Sequence, residues 1–422
     1  MIENIIPSTF RSLDRVSYPF FVKIVDRYFS KMTKGNLLIK DVNRDVYLEF
    51  GNEPGIEAVI HVNDPDFFRR LVFGGDIGLA ETYMEGLWDT PSIDNVISWF
   101  IQNQKNSPSM SGSEVSVAKI VNVQEIGNRL GHALRKNTVE GSEKNIHDHY
   151  DLGNDFFSLF LDPTMTYSSG VFLSDEDTLE QSQYNKFAAL AKAGRMTDGL
   201  DVLEVGTGWG AFSCYLAQNY DCKVTTITIS KEQFAHAKEK VSKLGLEDRI
   251  TVLLKDYREL TGSFDRVFTV EMLEAVGGEF LQVFFERANQ WLRPSGVMAH
   301  QVILCADTRY EKLKNGIDFI QKHIFPGSLL PSLKVIMEEA NKHDDYFLIE
   351  CQDYSRDYGK TLKLWQQAFL DQKEAVKELG FDGTFIRKWD YYFSYCAAAF
   401  FMRNITVSHM AMTRVNNHNL KL

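Results

Sequence analysis

The chain has 422 residues, enough for two domains and at least one large buried core. Its 44% hydrophobic and 24% charged residues are those of an ordinary globular protein, and no apolar run nears the roughly 18 residues that a membrane span needs. A formal net charge of -11 argues against a nucleic-acid partner and gives no general attraction to anionic lipid, so any membrane contact must be local.

The opening stretch, MIENIIPSTFRSLDRV, lacks the charged-then-apolar pattern of a secretory signal, which predicts a cytosolic protein. Cys214, Cys222, Cys305, Cys351 and Cys396 are scattered, odd in number and without a CxxC pair. They read as buried thiols in a reducing compartment, not as a disulfide frame or a zinc site.

Residues 1–103 form a first block. SYPFFVKIVDRYF has helical spacing, and DVYLEFG and EAVIHV then alternate as strands do. FFRRLVFGGDIGLAETYMEGLWDTP comes next, punctuated by Gly74, Gly75, Gly78 and Gly86. Nothing in the block pairs an acid with a base, so it reads as a small α/β accessory domain. Residues 104–118 are serine-rich, with Pro108 and Gly112, and form the linker to a catalytic block at 119–422. Beyond the linker, NIHDHYDLGNDFFSLFLDPTMTYSSGVF is dense in His, Asp, Tyr and Ser. Its HxH pair, His147 and His149, has no carboxylate or cysteine at ligand spacing, so it reads as loop structure and not as a metal site. The segment reads as a loop that closes over a ligand.

The block is organised by DVLEVGTGWGAFSCYLA, residues 201–217. Apolar Val202, Leu203 and Val205 run into Gly206, Gly208 and Gly210, and an amphipathic segment succeeds them: buried strand, glycine turn, helix. Glycines let the backbone turn sharply and approach a ligand with no Cβ in the way. Such a turn alone also suits dinucleotide binding or plain packing of a helix on a sheet. The downstream sequence sustains the alternation: CKVTTITIS, RITVLL, FDRVFTV and VMAHQVI as strands, KEQFAHAKEKVSKLG and GEFLQVFFERANQWL as helices, the second stopped by RPSG. Repeated βαβ units predict a parallel, doubly wound, Rossmann-like α/β sheet. Ligands bind beyond the carboxyl ends of such strands, which here carry Gly206–Gly210, Thr228, Asp256, Glu271–Glu274 and His300.

A dinucleotide site usually has an acid about 20 residues after the turn. This strand ends instead in Thr228 and Ser230, and GxGxG replaces GxGxxG. Both departures favour S-adenosylmethionine over NAD. Asp256 and Tyr257 suit adenine, as an acceptor for the exocyclic amine and a ring beside the base.

Together, HYDLGNDFFSLFLDPTMTYSSGVF, VLEVGTGWGAF, TITISKEQ, LLKDYREL, EMLEAVGGEF, HIFPGSLLPS and YGKTLKLW resemble the cyclopropane-fatty-acyl-phospholipid synthases and mycolic acid cyclopropane synthases over nearly all of residues 145–402. GGDIGLAETYMEGLWD also resembles the accessory domain of the bacterial phospholipid enzymes. The resemblance implies a class I S-adenosylmethionine-dependent methyltransferase fold with a smaller N-terminal α/β domain. It places Tyr167 and Ser168 at the methionine and sulfonium, Gly206, Gly208 and Gly210 at the methionine end, Thr228 and Gln233 at the ribose, and Tyr257 and Arg258 at the adenine. It also implies a bicarbonate ion, held through Ser169, Glu274, His300, the backbone near Val302, and Tyr358. A homodimer is a further implication.

The chemistry explains these groups. A cis alkene is a poor nucleophile and attacks only a strongly activated methyl, such as a sulfonium carries. Attack leaves a carbocation, which aromatic faces stabilise where water is excluded; Tyr167, Tyr358, Phe172 and Trp365 are candidates. Loss of a proton then closes the ring and needs a nearby base. Bicarbonate oriented by Glu274 and His300, or Glu274 itself, could serve. Glu271 reads as a bystander behind Glu274 or near the cofactor. Serine at 169 replaces the family's usual cysteine, and Ala275 stands where a histidine is common, which leaves a methyl branch open as the product.

HIFPGSLLPSLKVIMEEA, residues 323–340, is the candidate lipid-facing segment, with Ile324, Phe325, Leu329, Leu330 and Leu333 at the interface or, equally, in the core. FIRKWDYYFSYCAAAFFMRN reads as a core helix and ITVSHMAMTR as a closing strand. The reading is a cytosolic, peripherally membrane-associated enzyme acting on unsaturated phospholipid acyl chains. A methyl-branching lipid enzyme, a small-amine N-methyltransferase and a non-enzymatic lipid-binding protein are the alternatives.

Overall fold

The computed structural model describes residues 8–105, 152–418 and 420. Residues 106–118 of the expected linker, and His147 and His149, lie outside them. The described chain divides into two compact units, one of residues 8–105, Gly316–Phe319 and Phe381–Met402, the other of the remainder.

The first unit contains helix α1 (Ser8–Phe29), strands β1 (Lys34–Asp41), β2 (Val46–Phe50) and β3 (Glu53–Val62), helix α2 (Asp66–Met84), the short β4 (Trp88–Asp89) and helix α3 (Ile93–Gln102). The sheet order is β2-β1-β3-β4, with β1 parallel to β3 and antiparallel to β2. Strand β1 alternates as its sequence does: Leu37 and Ile39 are fully buried, and Leu38 and Lys40 are not. The Ser92 hydroxyl caps α3 by accepting the Asn95 amide at 3.2 Å. Helix α2 kinks at Gly75, whose φ of 55° a residue with a Cβ adopts only at a cost.

The second unit runs through α4 (Gly153–Ser158), α5 (Leu179–Ala193), β5 (Asp201–Val205), α6 (Ala211–Asn219), β6 (Lys223–Thr228), α7 (Lys231–Lys243), β7 (Ile250–Leu254), β8 (Phe264–Val270), α8 (Leu273–Val276), α9 (Leu281–Trp291) and β9 (Leu292–Cys305). It continues with α10 (Tyr310–Asn315), α11 (Leu333–Ala340), β10 (Tyr346–Asp353), α12 (Ser355–Asp371) and α13 (Lys373–Glu378), and ends in β11 (Ile405–Arg414). Its seven-stranded sheet has the order β10-β11-β9-β8-β5-β6-β7. Strands β5 to β9 pair in parallel, and β11 lies antiparallel between β9 and β10. The sheet is the Rossmann-like doubly wound α/β sheet that the sequence predicts, with an antiparallel closing strand. The order reverses at β5, so the ends of β5, β6 and β8 open onto the switch-point crevice. One difference is at RPSG: the helix stops there, but β9 begins at Leu292. Phe264 pairs with Leu292 and Arg266 with Val297, so a bulge absorbs the intervening residues.

Helix α14 (Gly383–Phe401) belongs to the first unit, although the sequence places it in the catalytic block. Its Arg387 holds it there. The guanidinium lies 3.9 Å from the Tyr83 ring centre, donates to the Trp88 carbonyl at 2.9 Å and pairs with Asp89 at 2.9 Å. An apolar stripe reveals that a helix buries one face, not what that face meets.

Two further expectations change. Cys351 is exposed, because β10 is the edge strand of the sheet, and Cys396 is only half-buried. Segment 323–340 packs largely into the core: Ile324 is 4% and Leu329 9% exposed, Ile336 and Ala340 are fully buried, and Phe325, Leu330 and Leu333 are half-buried. Its α11 packs on the sheet core, and the Leu329 amide donates to the Glu274 carbonyl at 2.9 Å. Among the described residues, no helix is long and apolar enough to cross a membrane.

Candidate active site

The glycine turn leaves β5 with Gly206, Gly208 and Gly210 at φ of 99°, 50° and 84°. Among the described residues, a Cβ at Gly208 would meet nothing within 4 Å, so the backbone there faces open space. Beneath the turn, buried Glu204 accepts from the Ser213 hydroxyl and, at 2.9 Å, from that of Thr226; burial pushes its carboxyl up to about 7. The next strand ends bring the other sequence-derived residues alongside. Thr228 donates to the Gln233 side chain at 2.8 Å, and both are buried. Asp256 is clasped by Arg258 through its Nε at 2.8 Å and a terminal nitrogen at 2.7 Å. The same guanidinium lies 5.3 Å from the centre of the Tyr257 ring.

The loop before α5 brings the MTYSS residues in from the other side. The Ser168 hydroxyl accepts from Lys186 at 2.8 Å, and its carbonyl from Gln183 at 3.0 Å. Lys186 is fully buried, which lowers its ammonium to about 7. Tyr167 joins an aromatic wall, with ring centres 5.2 Å from Phe157, 5.2 Å from Trp365 and 6.3 Å from Phe325. Phe325 of the expected lipid-facing segment thus faces this wall.

The centre of the site is Glu271. It succeeds β8 with a φ of 48°, a left-handed conformation that costs a non-glycine residue on the order of 1 kcal/mol. The Ser169 amide donates to its Oε1 at 2.8 Å, the Gln301 side-chain amide to the same atom at 2.7 Å, and the Tyr358 hydroxyl to its Oε2 at 2.6 Å. Gln301 also donates to the Ser169 carbonyl at 3.1 Å and pairs through its oxygen with His409 Nε2 at 2.7 Å. Since burial keeps His409 neutral and the Gln301 oxygen can only accept, His409 carries its proton on Nε2. Burial raises the Glu271 carboxyl; its three donors and the Lys186 charge oppose that rise.

Glu274, one turn on, has fewer partners. Its Oε1 accepts the Ile303 amide, and its buried Oε2 has no hydrogen-bond partner among the described residues. Burial and the neighbouring Glu271 push it up to about 8, so it is protonated at neutral pH. The two buried acids have unequal donor sets, three on Glu271 and fewer on Glu274, an asymmetry that favours the charge on Glu271 over Glu274.

His300 stands apart. Its Nδ1 is 2.8 Å from the Thr269 hydroxyl, its buried Nε2 has no partner among the described residues, and the Phe284 and Phe285 ring centres are each 6.2 Å away. Burial lowers it to about 3. Its described hydrogen bond goes to Thr269 and not to Ser169, Glu274 or Tyr358. The structure therefore brings Ser169 and Tyr358 together, but around Glu271. Ser169 participates through its backbone amide, while its hydroxyl donates to the Gly170 carbonyl at 2.9 Å. The sequence reading took Glu271 as a bystander and did not single out Gln301, Lys186 or His409, which the structure places in the same hydrogen-bond and charge network. The one signal for Glu271 was EMLE itself, two acids three residues apart at a strand end.

A family model described as mycolic acid cyclopropane synthetase matches residues 137–410. The cyclopropane-fatty-acyl-phospholipid synthase of Escherichia coli K12 is 32% identical over 369 residues, 86% of this chain and 90% of that protein. The tuberculostearic acid methyltransferase UfaA1 of Mycobacterium tuberculosis is 33% identical over 360 residues, 81% of this chain and 80% of that protein. The solved structure of mycolic acid cyclopropane synthase CmaA1 complexed with SAH and CTAB superposes with a TM-score of 0.60, at 30% identity, over 64% of this chain and 98% of that one.

Proposed function

This chain belongs to the mycolic acid cyclopropane synthetase family and is an S-adenosylmethionine-dependent methyltransferase; we propose that it cyclopropanates cis double bonds in the acyl chains of membrane phospholipids. The observation that carries the reading is a buried carboxylate pair, Glu271 and Glu274, joined through Tyr358 to an aromatic wall; the Tyr358 and Trp365 ring centres are 6.2 Å apart.

The residues present fit S-adenosylmethionine, on the open backbone at Gly208 and the mixed donor and acceptor set at the ends of β6 and β7. Gly206, Gly208 and Gly210 with Tyr167 and Ser168 would hold its methionine end, Thr228 and Gln233 its ribose, and Asp256, Tyr257 and Arg258 its adenine. When bound, it supplies an activated methyl. Attack of the alkene on that methyl would leave a carbocation on the acyl chain. Tyr167 and Trp365 offer it ring faces and exclude water. A carboxylate then removes a proton from the new methyl, and the freed C–H electron pair closes the ring.

Bicarbonate does not fit the donor set. The Ser169 amide and the Tyr358 hydroxyl are both given to Glu271, and His300 is turned to Thr269. A further anion would also sit against a carboxylate in a dry site, where like charges strongly repel. No step is assigned to it.

Acyl chains presented from a bilayer surface, a cytosolic location and a dimer belong to the same reading. For the surface contact, the exposed aromatic group of the first unit replaces segment 323–340: Phe20 is 60% and Phe73 37% exposed, each about 5.5 Å or less from the Phe21 ring centre. The test is incubation with vesicles of monounsaturated phospholipid and methyl-labelled S-adenosylmethionine, with saturated vesicles as control. Label in the acyl chains of the unsaturated lipid alone supports the reading. Label in neither lipid refutes it and turns attention to small amines.

A further inference from the structure

We propose that the Glu271 carboxylate occupies the place the family resemblance gives to bicarbonate, and is the base that closes the ring, so that the enzyme needs no external anion. The inference rests on the function proposed above. Three observations carry it. The first is the donor set: the Ser169 amide and the Tyr358 hydroxyl, two of the groups expected to grip an external anion, both donate to Glu271 at 2.8 and 2.6 Å. Gln301 adds a third donor at 2.7 Å and is itself fixed by His409. The second is the backbone. A left-handed φ of 48° is unfavourable for glutamate, and it turns the side chain back among those donors instead of along the strand. The third is charge: buried Lys186 interacts favourably with Glu271, and neighbouring Glu274 carries no such donor set.

Three donors leave the carboxylate with acceptor capacity, since its two oxygens offer about four lone-pair sites. Two donors lie on Oε1 and one on Oε2, so Oε2 has room for an incoming proton. The step balances simply. A C–H bond of the transferred methyl breaks, its proton goes to Glu271 Oε2, and its electron pair forms the third carbon–carbon bond of the ring. No oxidant or reductant enters. The neutral acid returns its proton to water once the product has left.

The experiment measures methyl transfer to unsaturated phospholipid vesicles in bicarbonate-depleted buffer, with and without added sodium bicarbonate. The wild-type rate is expected to change less than about twofold, and a strict bicarbonate requirement would overturn the inference. Two variants extend the test. Glu271→Gln keeps the carboxylate's shape but accepts no proton; ring formation is expected to fall on the order of 10²- to 10⁴-fold, with or without bicarbonate. Glu271→Gly relieves the left-handed strain and empties the position, so added bicarbonate is expected to restore part of the rate. Binding of S-adenosylhomocysteine, measured by calorimetry, confirms that both variants fold. Full activity of Glu271→Gln would refute the role of Glu271 while leaving the function standing. A wild-type enzyme that labels no lipid under any condition would instead overturn the function, and the inference with it.

Discussion

Replacing Tyr358 with phenylalanine removes one hydroxyl and little else. The ring keeps its edge-on packing against Trp365, while the 2.6 Å hydrogen bond to Glu271 Oε2 is lost. That bond favours the charged carboxylate. A hydrogen bond to a charged group is worth about 1.5–3 kcal/mol, and ~1.4 kcal/mol corresponds to one pH unit, so Glu271 should titrate about 1–2 units higher in Tyr358→Phe. Burial already raises this group and the lost hydrogen bond raises it further, so the ionised fraction falls at every pH near or below its titration. The assay is the pH dependence of kcat with labelled S-adenosylmethionine and unsaturated vesicles. The acidic limb should move up by that amount, and much of the rate should return at alkaline pH. An equal loss at every pH, with the limb unmoved, would refute the claim that Tyr358 acts by keeping Glu271 ionised.

Gly208→Val adds a side chain at a φ of 50°, into the space where the backbone is open; affinity for S-adenosylhomocysteine should fall more than tenfold by calorimetry while the circular dichroism spectrum holds. Glu274 stays protonated in the fold up to about 8, whereas an unfolded glutamate titrates near ~4.3, so its contribution to stability is complete below that value and is lost as pH rises through about 8. Glu274→Gln should therefore show a smaller drop in Tm than the wild type between pH ~5 and ~8, with Glu204 and Glu271, also raised by burial, contributing to the remaining slope. An identical slope in the two proteins would contradict this. Phe20→Ser combined with Phe73→Ser should weaken vesicle co-sedimentation several-fold and leave S-adenosylhomocysteine affinity unchanged; equal co-sedimentation would remove that surface from the account.

The sheet was legible because its signals are local. A strand-turn-helix at Gly206–Gly210, followed by four more strands and two more helices in alternation, points to a parallel sheet, and strand ends then nominate Thr228, Asp256 and Glu274 by position. The hydrogen-bond network around Glu271 was not legible, because it depends on a left-handed backbone at one residue and on donors from Ser169, Gln301 and Tyr358, each far off in sequence. His300 has the right residue type at the right strand end, but nothing in VMAHQVI says that its ring meets Thr269 and two phenylalanines. Helix α14 and segment 323–340 share one lesson: apolar periodicity identifies a face to be covered, and only tertiary structure supplies the cover.

The central claim is ring closure on an acyl chain, and the isotopic content of the product tests it most directly. The enzyme would be given unsaturated phospholipid vesicles and S-adenosylmethionine carrying a trideuterated methyl, and the esterified fatty acids analysed by mass before and after catalytic hydrogenation. Proton loss from the transferred methyl predicts a gain of one CD2 unit, unchanged by hydrogenation. A chain that keeps the whole CD3 group, or gains CD2 and then takes up hydrogen, would mean methylation without ring closure and would contradict the account.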